Sequence, residues 1–234
     1  MKRIVVSMIA AATLLLCNSF LSPDIPKEDV RKLDAFSGIG ISVHADVFYT
    51  PGNTHEIVIE GDDRDVDELI TEVEDGYLKI RYPSGKWRIK RSKLTIHVTS
   101  KELEAVKMSG SGLFEADEAV TSDEMDLAIS GSGNIVFRKL TSDEVGAKIS
   151  GSGDVILDSG SADELDLRIS GSGKLKAETF EVSEFSASIS GSGGARITAK
   201  EELEVRISGS GSVYYHGSPR VNSTSSGSGK VKTL

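Results

Sequence analysis

Ile149-Ser150-Gly151-Ser152-Gly153-Asp154-Val155-Ile156-Leu157 returns twenty residues later as Ile169-Ser170-Gly171-Ser172-Gly173-Lys174-Leu175-Lys176-Ala177. The tetrapeptide at the heart of this stretch occurs seven times. It begins at Ser109, Ser130, Ser150, Ser170, Ser190, Ser208 and Ser226, with spacings of 21, 20, 20, 20, 18 and 18 residues. A unit this short cannot bury an apolar face by itself, so each copy must stack on its neighbours in a solenoid.

Around the motif, apolar residues alternate with polar ones. Met108, Ile129, Ile149, Ile169, Ile189 and Ile207 precede the first serine, and Val106, Leu127, Ala147, Leu167, Ala187 and Val205 stand two residues earlier. Phe114, Ile135, Val155, Leu175, Ala195, Val213 and Val231 follow five residues after it. Period two predicts strands with one face inward, two short strands per unit. The same parity turns Gly110, Gly112, Gly131, Gly133, Gly151, Gly153, Gly171, Gly173, Gly191, Gly193, Gly209, Gly211, Gly227 and Gly229 inward and the serines, Ser111 among them, outward. Glycine suits a corner without room for a side chain. The hydroxyls are expected to bond main-chain groups there and to stack as serine ladders.

An antiparallel sandwich has no reason to repeat one turn at one phase, whereas a parallel β-helix does. The expected fold is therefore an all-β, right-handed parallel β-helix of pectin-lyase-like type, with about 20 residues per repeat. Whether one repeat makes a full coil or half of one stays open. Ser223 and Ser225 replace apolar residues at inward positions of the last copy, as a polar solenoid end requires.

Residues 1–19 read as a secretory signal. Lys2 and Arg3 precede the apolar run from Ile4 to Leu16, too short for a bilayer span of about 20 residues, and a cut between Ser19 and Phe20 is expected. Cys17 is the only cysteine, so a mature domain has no disulfide. Cys17 is also a candidate lipidation site, although Leu16 is larger than the residue usual before a lipidated cysteine. Residues 20–34 read as a leader and 35–105 as a less regular β part of the solenoid. Candidate strands there are Ile39 to Val43, Glu56 to Ile59, Tyr77 to Arg81 and Leu94 to Val98. Asp62 to Val73 reads as a short helix or a lateral loop. Residues 106–234 carry the repeats.

Phe36-Ser37-Gly38-Ile39, Gly76-Tyr77-Leu78-Lys79-Ile80 and Leu103-Glu104-Ala105-Val106-Lys107-Met108 running into the first motif resemble the head GIN domain family of autotransporter-type adhesins. The resemblance covers about residues 33 to 234. It implies a secreted β-helix of Gram-negative bacteria of the Bacteroides group, a role in adhesion, and a homo-oligomer, a trimer by family analogy. It brings no catalytic residue with it. The stretch to Leu234 leaves no length for a β-barrel of eight or more membrane strands, so self-export is not expected. Display at the cell surface would then use a lipid on Cys17 or a separate route, the alternative being the periplasm.

Few residues point to chemistry. His44, His55, His97 and His216 lack metal-ligand spacing, and no catalytic residue, metal or cofactor is expected. Asp123-Glu124, Asp143-Glu144, Asp163-Glu164, Glu184 and Glu202 form a periodic acidic series, read as a hydrated corner or, more sharply, as a calcium edge. Arg81 to Lys93 is a basic, aromatic segment whose Trp87, Tyr82 and Arg88 are candidate ligand contacts, Trp87 for stacking on a sugar. The formal net charge of −9, or −11 without the signal, argues against nucleic acid as partner. The expected function is that of a non-enzymatic, exported scaffold or adhesin for a glycan or a host or cell-surface ligand, with any membrane contact made through a lipid anchor. The alternatives are a carbohydrate-active enzyme and a periplasmic structural protein.

Overall fold

The stacking of the repeats decides the architecture. In the computed structural model, which describes residues 27–85 and 91–234, the chain is a β-solenoid of about six turns. Asn134 lies beside Leu113 and Ile149 beside Ile129 in a parallel pairing whose register shifts once, between Phe137 and Lys139; the next repeat pairs Ile135 with Val155 and Ile149 with Ile169. One repeat is therefore one full coil, which resolves the alternative the sequence left open.

Each coil has three walls. The first carries the alternating residues before the motif, such as Leu165, Leu167 and Ile169, and the second those after it, such as Leu175 and Ala177. Sequence parity had indicated these two. The third is short and holds Val120, Leu140, Ala162, Phe180, Val182 and Ala199, all buried. The two 18-residue coils are shorter here: the register between Ala177 and Glu181 slips as Glu181 comes to face Thr198. One continuous core runs from Phe36 to Val213, and at its N-terminal side the Tyr49 and Phe114 rings stack with centroids 6.2 Å apart while Phe137 packs tilted on Phe114 at 5.7 Å.

The corner between the first and second walls is where Ser-Gly-Ser-Gly sits. Gly191 has φ of 122°, a left-handed value that side chains resist, while Gly193 is buried. A Cβ on Gly193 would stand 2.5 Å from the Gly173 carbonyl oxygen and 2.6 Å from Ile169 Cγ2 of the coil before. The isoleucine and glycine rows thus interlock, each glycine leaving the space that a branched methyl fills. Main-chain bonds cross the same corner: Ser172 N donates to Gly151 O at 2.9 Å, Ser192 N to Gly171 O at 2.9 Å and Gly193 N to Gly171 O at 3.0 Å. The expected serine ladder gives way to this main-chain ladder. Ser152, Ser172, Ser192 and Ser210 are exposed, and a motif-serine bond to another serine is seen at the first corner, from Ser109 Oγ to Ser42 Oγ at 2.9 Å.

The N-terminal part both starts the stack and caps it. Gly38–Ile41 and Ala45–Pro51 form a coil flanked on one side by Tyr77–Arg81 and Leu94–Ser100, and on the other by Ala105–Met108 and residues 112–116. Spatial order and chain order therefore differ, and residues 101–104 cross from the outer coil to the inner one, with Glu104 N donating to Ser37 O at 2.7 Å. Three antiparallel strands cover the edge. Glu56–Gly61 pairs with Leu94–Ser100, Lys27–Lys32 pairs with Glu56–Gly61, and Ile70–Glu74 pairs with Tyr77–Arg81 through the Asp75-Gly76 turn, both residues at positive φ. The stretch read as a leader thus contributes a strand, while the signal segment and Cys17 lie outside the described residues.

Asp62 to Val73 resolves into the helix Asp63–Glu68, whose N-cap Asp62 accepts from Arg64 N at 3.1 Å, followed by Ile70–Glu74. Arg31 binds the far end of that helix, donating to Val66 O at 3.0 Å and Leu69 O at 2.7 Å. At the other end of the solenoid, Ser223 and Ser225 stand beside Val205 and Ile207 and are exposed, as a polar end coil requires.

The interlocked corner yields a mutational contrast in thermal and urea melts. Gly193→Ala overpacks it and should cost about 1–3 kcal/mol, whereas Ser192→Ala should stay within about 0.5 kcal/mol. Ile169→Asp puts an unpaired charge into the stacked core and should unfold several rungs together. Equal melting of all three variants with the parent would contradict the assignment.

Candidate functional site

Because coils repeat in register, outward side chains form rows along the solenoid, and any site is a local break in a row. Of the segment from Arg81 to Lys93, singled out for its charge and aromatics, residues 81–85 and 91–93 are described, and their cations are paired. Arg91 lies over the Tyr82 ring, 3.4 Å from its centroid, and reaches Glu68 at 3.3 Å and Asp65 at 3.6 Å. Asp65, almost fully buried, also accepts from Ser92 N at 2.8 Å. Burial first, and then the Asp65 charge, raises the Tyr82 phenol above its ordinary range. Arg81 pairs with Glu72 at 2.6 Å and Lys93 with Asp46 at 2.6 Å. Arg91 is thus committed to the helix of the cap, Arg81 to the hairpin strand Ile70–Glu74, and Lys93 to the coil strand Ala45–Pro51. Trp87 and Arg88 lie outside the described residues.

The acidic series becomes a ladder. Glu124, Glu144, Glu164, Glu184 and Glu202 pair rung by rung, and Arg220 closes the row with a 2.6 Å ion pair to Glu202. A groove of about 280 Å³ runs beside them. Among the described residues no group of three or more acids, histidines or cysteines is arranged to hold a metal ion. Like charges one rung apart, about 4.8 Å, are held in water or balanced from the side, as Arg206 does for Glu204 and Arg168 for Asp166 at 2.7 Å.

The second wall is organised differently. Arg138 bridges carboxylates of the coils on either side of its own, Glu115 and Asp117 (3.4 Å) on one and Asp158 (2.6 Å) on the other. Further along, one outward row reads Lys174, Gly194, Ser212, Lys230 and its neighbour Lys176, Arg196, Tyr214, Lys232. Gly194 and Ser212 leave a floor between longer side chains, and the corner serines Ser192 and Ser210 border the other side. The result is an open trough of about 590 Å³, within the roughly 300–1,000 Å³ of small-ligand sites. Lys176 pairs with Asp154 at 2.7 Å and Arg196 with Glu178, while the Arg196 guanidinium lies 5.7 Å from the centre of the Tyr214 ring. Parity reading missed this trough because it sorted residues by inward or outward side and not by size along a row. The signal was there in Gly194, the one glycine directly following a Ser-Gly-Ser-Gly motif.

The fold and its surface rows can now be set beside known proteins. The family model described as "Putative auto-transporter adhesin, head GIN domain" matches residues 35–219. The chain belongs to this family. A solved structure described as a putative adhesin from Bacteroides fragilis is 25% identical, with a TM-score of 0.83 over 91% of this chain and 98% of that one. A second, from Parabacteroides merdae, is 25% identical, with a TM-score of 0.73 over 90% and 97%. A structure from Parabacteroides distasonis described as a putative lipid binding protein shares the fold at 24% identity, with a TM-score of 0.72 over 90% and 97%. No curated protein matches. Among the described residues no helix is long and apolar enough to cross a membrane.

Arg138 offers a direct check on the surface electrostatics of this head GIN domain. Arg138→Gln leaves Glu115, Asp117 and Asp158 facing one another across three coils, so the melting temperature should fall in low salt. The deficit should shrink in high salt, because the added repulsion is screened. A deficit independent of salt would show that packing, not charge, is lost.

Proposed function

We propose that this head GIN protein is a non-enzymatic, exported adhesin that presents the outer rows of a rigid solenoid to a glycan at a cell surface. The observation that carries the reading is the in-register display itself. Outward side chains recur at fixed spacing along walls whose backbone is held by two flanking coils, so recognition groups are positioned before a ligand arrives. A lattice of equivalent positions suits multivalent contact with a repeating polymer, where many weak contacts add to avidity. Family membership and the two adhesin-described structures support the same direction.

The test combines location with binding. Protease shaving of intact cells should remove the protein while periplasmic markers survive, and beads coated with the purified protein should retain glycan-bearing cells. Full protection from protease, with release only on lysis, would instead favour a periplasmic structural role.

A further inference from the structure

The trough on the second wall differs from the rest of the surface in three independent respects: shape, charge and aromatic content. Three rung-to-rung steps separate Lys174 from Lys230 in one row, a span of about 14 Å at roughly 4.8 Å per step. Between them Gly194 and Ser212 keep the floor low, and Tyr214 stands half-buried at the side with Arg196 one rung away.

The charge there opposes that of the chain. Formal net charge is −9, yet Lys174, Lys230 and Lys232 make no ion pair among the described residues, in contrast to Lys176 and Arg196 in the same rows. The two carboxylates of the lining, Asp158 and Glu178, are paired with Arg138 and Arg196, which leaves the Lys174 ammonium in the trough, and those of Lys230 and Lys232 one rung beyond Ser212 and Tyr214, as positive charge along a shallow depression floored and bordered by hydroxyls. Such a set suits a ligand that brings its own anions and also has apolar C–H faces to lay on an aromatic ring.

We infer that this trough is a binding site for a short acidic saccharide, one whose sugar rings carry carboxylate or sulfate groups. In this assignment Tyr214 is the stacking plate. Lys174 and Lys230 hold anionic groups at the two ends, and Arg196, already fixed by Glu178, orients the ring. Ser192, Ser210 and Ser212 exchange hydrogen bonds with sugar hydroxyls. A long nucleic acid is a poorer fit, because the first wall of the same coils carries the glutamate ladder from Glu124 to Glu202 and repels an extended polyanion. The inference rests on the adhesin reading and names the site and ligand class for it.

Isothermal titration of the purified protein with a panel of acidic oligosaccharides (galacturonic acid trimer, a sialylated trisaccharide and a sulfated disaccharide) tests it, with a neutral galactose trimer as control. At least one acidic member should bind, more weakly as salt rises. Tyr214→Ala and Lys174→Glu should each weaken that binding at least tenfold, and Lys148→Glu, on the first wall, should leave it unchanged. Lys174 is exposed, so its reversal keeps the test valid even if Tyr214→Ala melts early. Binding of no acidic member, or binding that both trough variants leave intact, overturns the inference. Retention of glycan-bearing cells that survives both variants would overturn the trough while leaving the adhesin reading standing. Binding to anionic phospholipid vesicles, lost in Lys174→Glu without any saccharide binding, would overturn it in favour of a lipid surface.

Discussion

At every corner of the repeat region, the carbonyl oxygen of one coil occupies the space that a Cβ of the next would need. Gly193 against Gly173 O illustrates the constraint, and the same close approach recurs along the row from Gly110 to Gly227. Because neighbouring coils touch backbone to backbone there, their amides can bond directly across the corner. That contact fixes the phase of each coil relative to the last. The two walls leaving the corner then start in register, and their alternation points the same positions inward in every turn.

Identical phase has different consequences inside and outside. Inside, Ile129, Ile149, Ile169, Ile189 and Ile207 stack as one row whose branched methyls fill the gaps over the glycines, so a β-branched residue is favoured at that position. Outside, stacking brings like beside like, a cost where the residue is charged. The glutamate ladder meets that cost with hydration and with Arg220 at its end, and Arg138 meets it by bridging three coils. On the second wall the row changes residue type within a few rungs, and that break creates the trough.

The sequence made the repeat region legible because its parity and its glycines follow from one rule applied seven times. Inward positions before and after the motif are buried as expected up to Val213, with Tyr215 and Val231 partly buried near the end, and Tyr77 to Arg81 coincides with an observed strand. The third wall escaped notice although Val120, Leu140 and Phe180 recur at the 20-residue spacing of the repeat, because each stands in a short, mostly polar stretch between the two longer runs of alternation. The order of the N-terminal coils was equally hidden, since the pairing of Gly38–Ile41 with both Tyr77–Arg81 and Ala105–Met108 is a long-range choice that no local pattern encodes. Ala45–Pro51 went unread because Pro51 and its polar neighbours resemble a turn. In the basic segment, charge in sequence does not reveal partners. Arg81 and Arg91 pair with Glu72 and Glu68 of the cap, and Lys93 pairs with Asp46 on a coil strand. The trough depended on side-chain size along a row, a direction perpendicular to the chain.

Native-state amide hydrogen exchange tests the corner most directly, because its bonds lie between coils in a segment that would otherwise be an exposed, glycine-rich turn. The account predicts that the amides of Ser172, Ser192 and Gly193 exchange as slowly as those of the flanking strands and open together with them. Exchange at the rate of a solvent-exposed loop, while Ile169 and Leu175 stay protected, would contradict the claim that the corner holds the stack in phase.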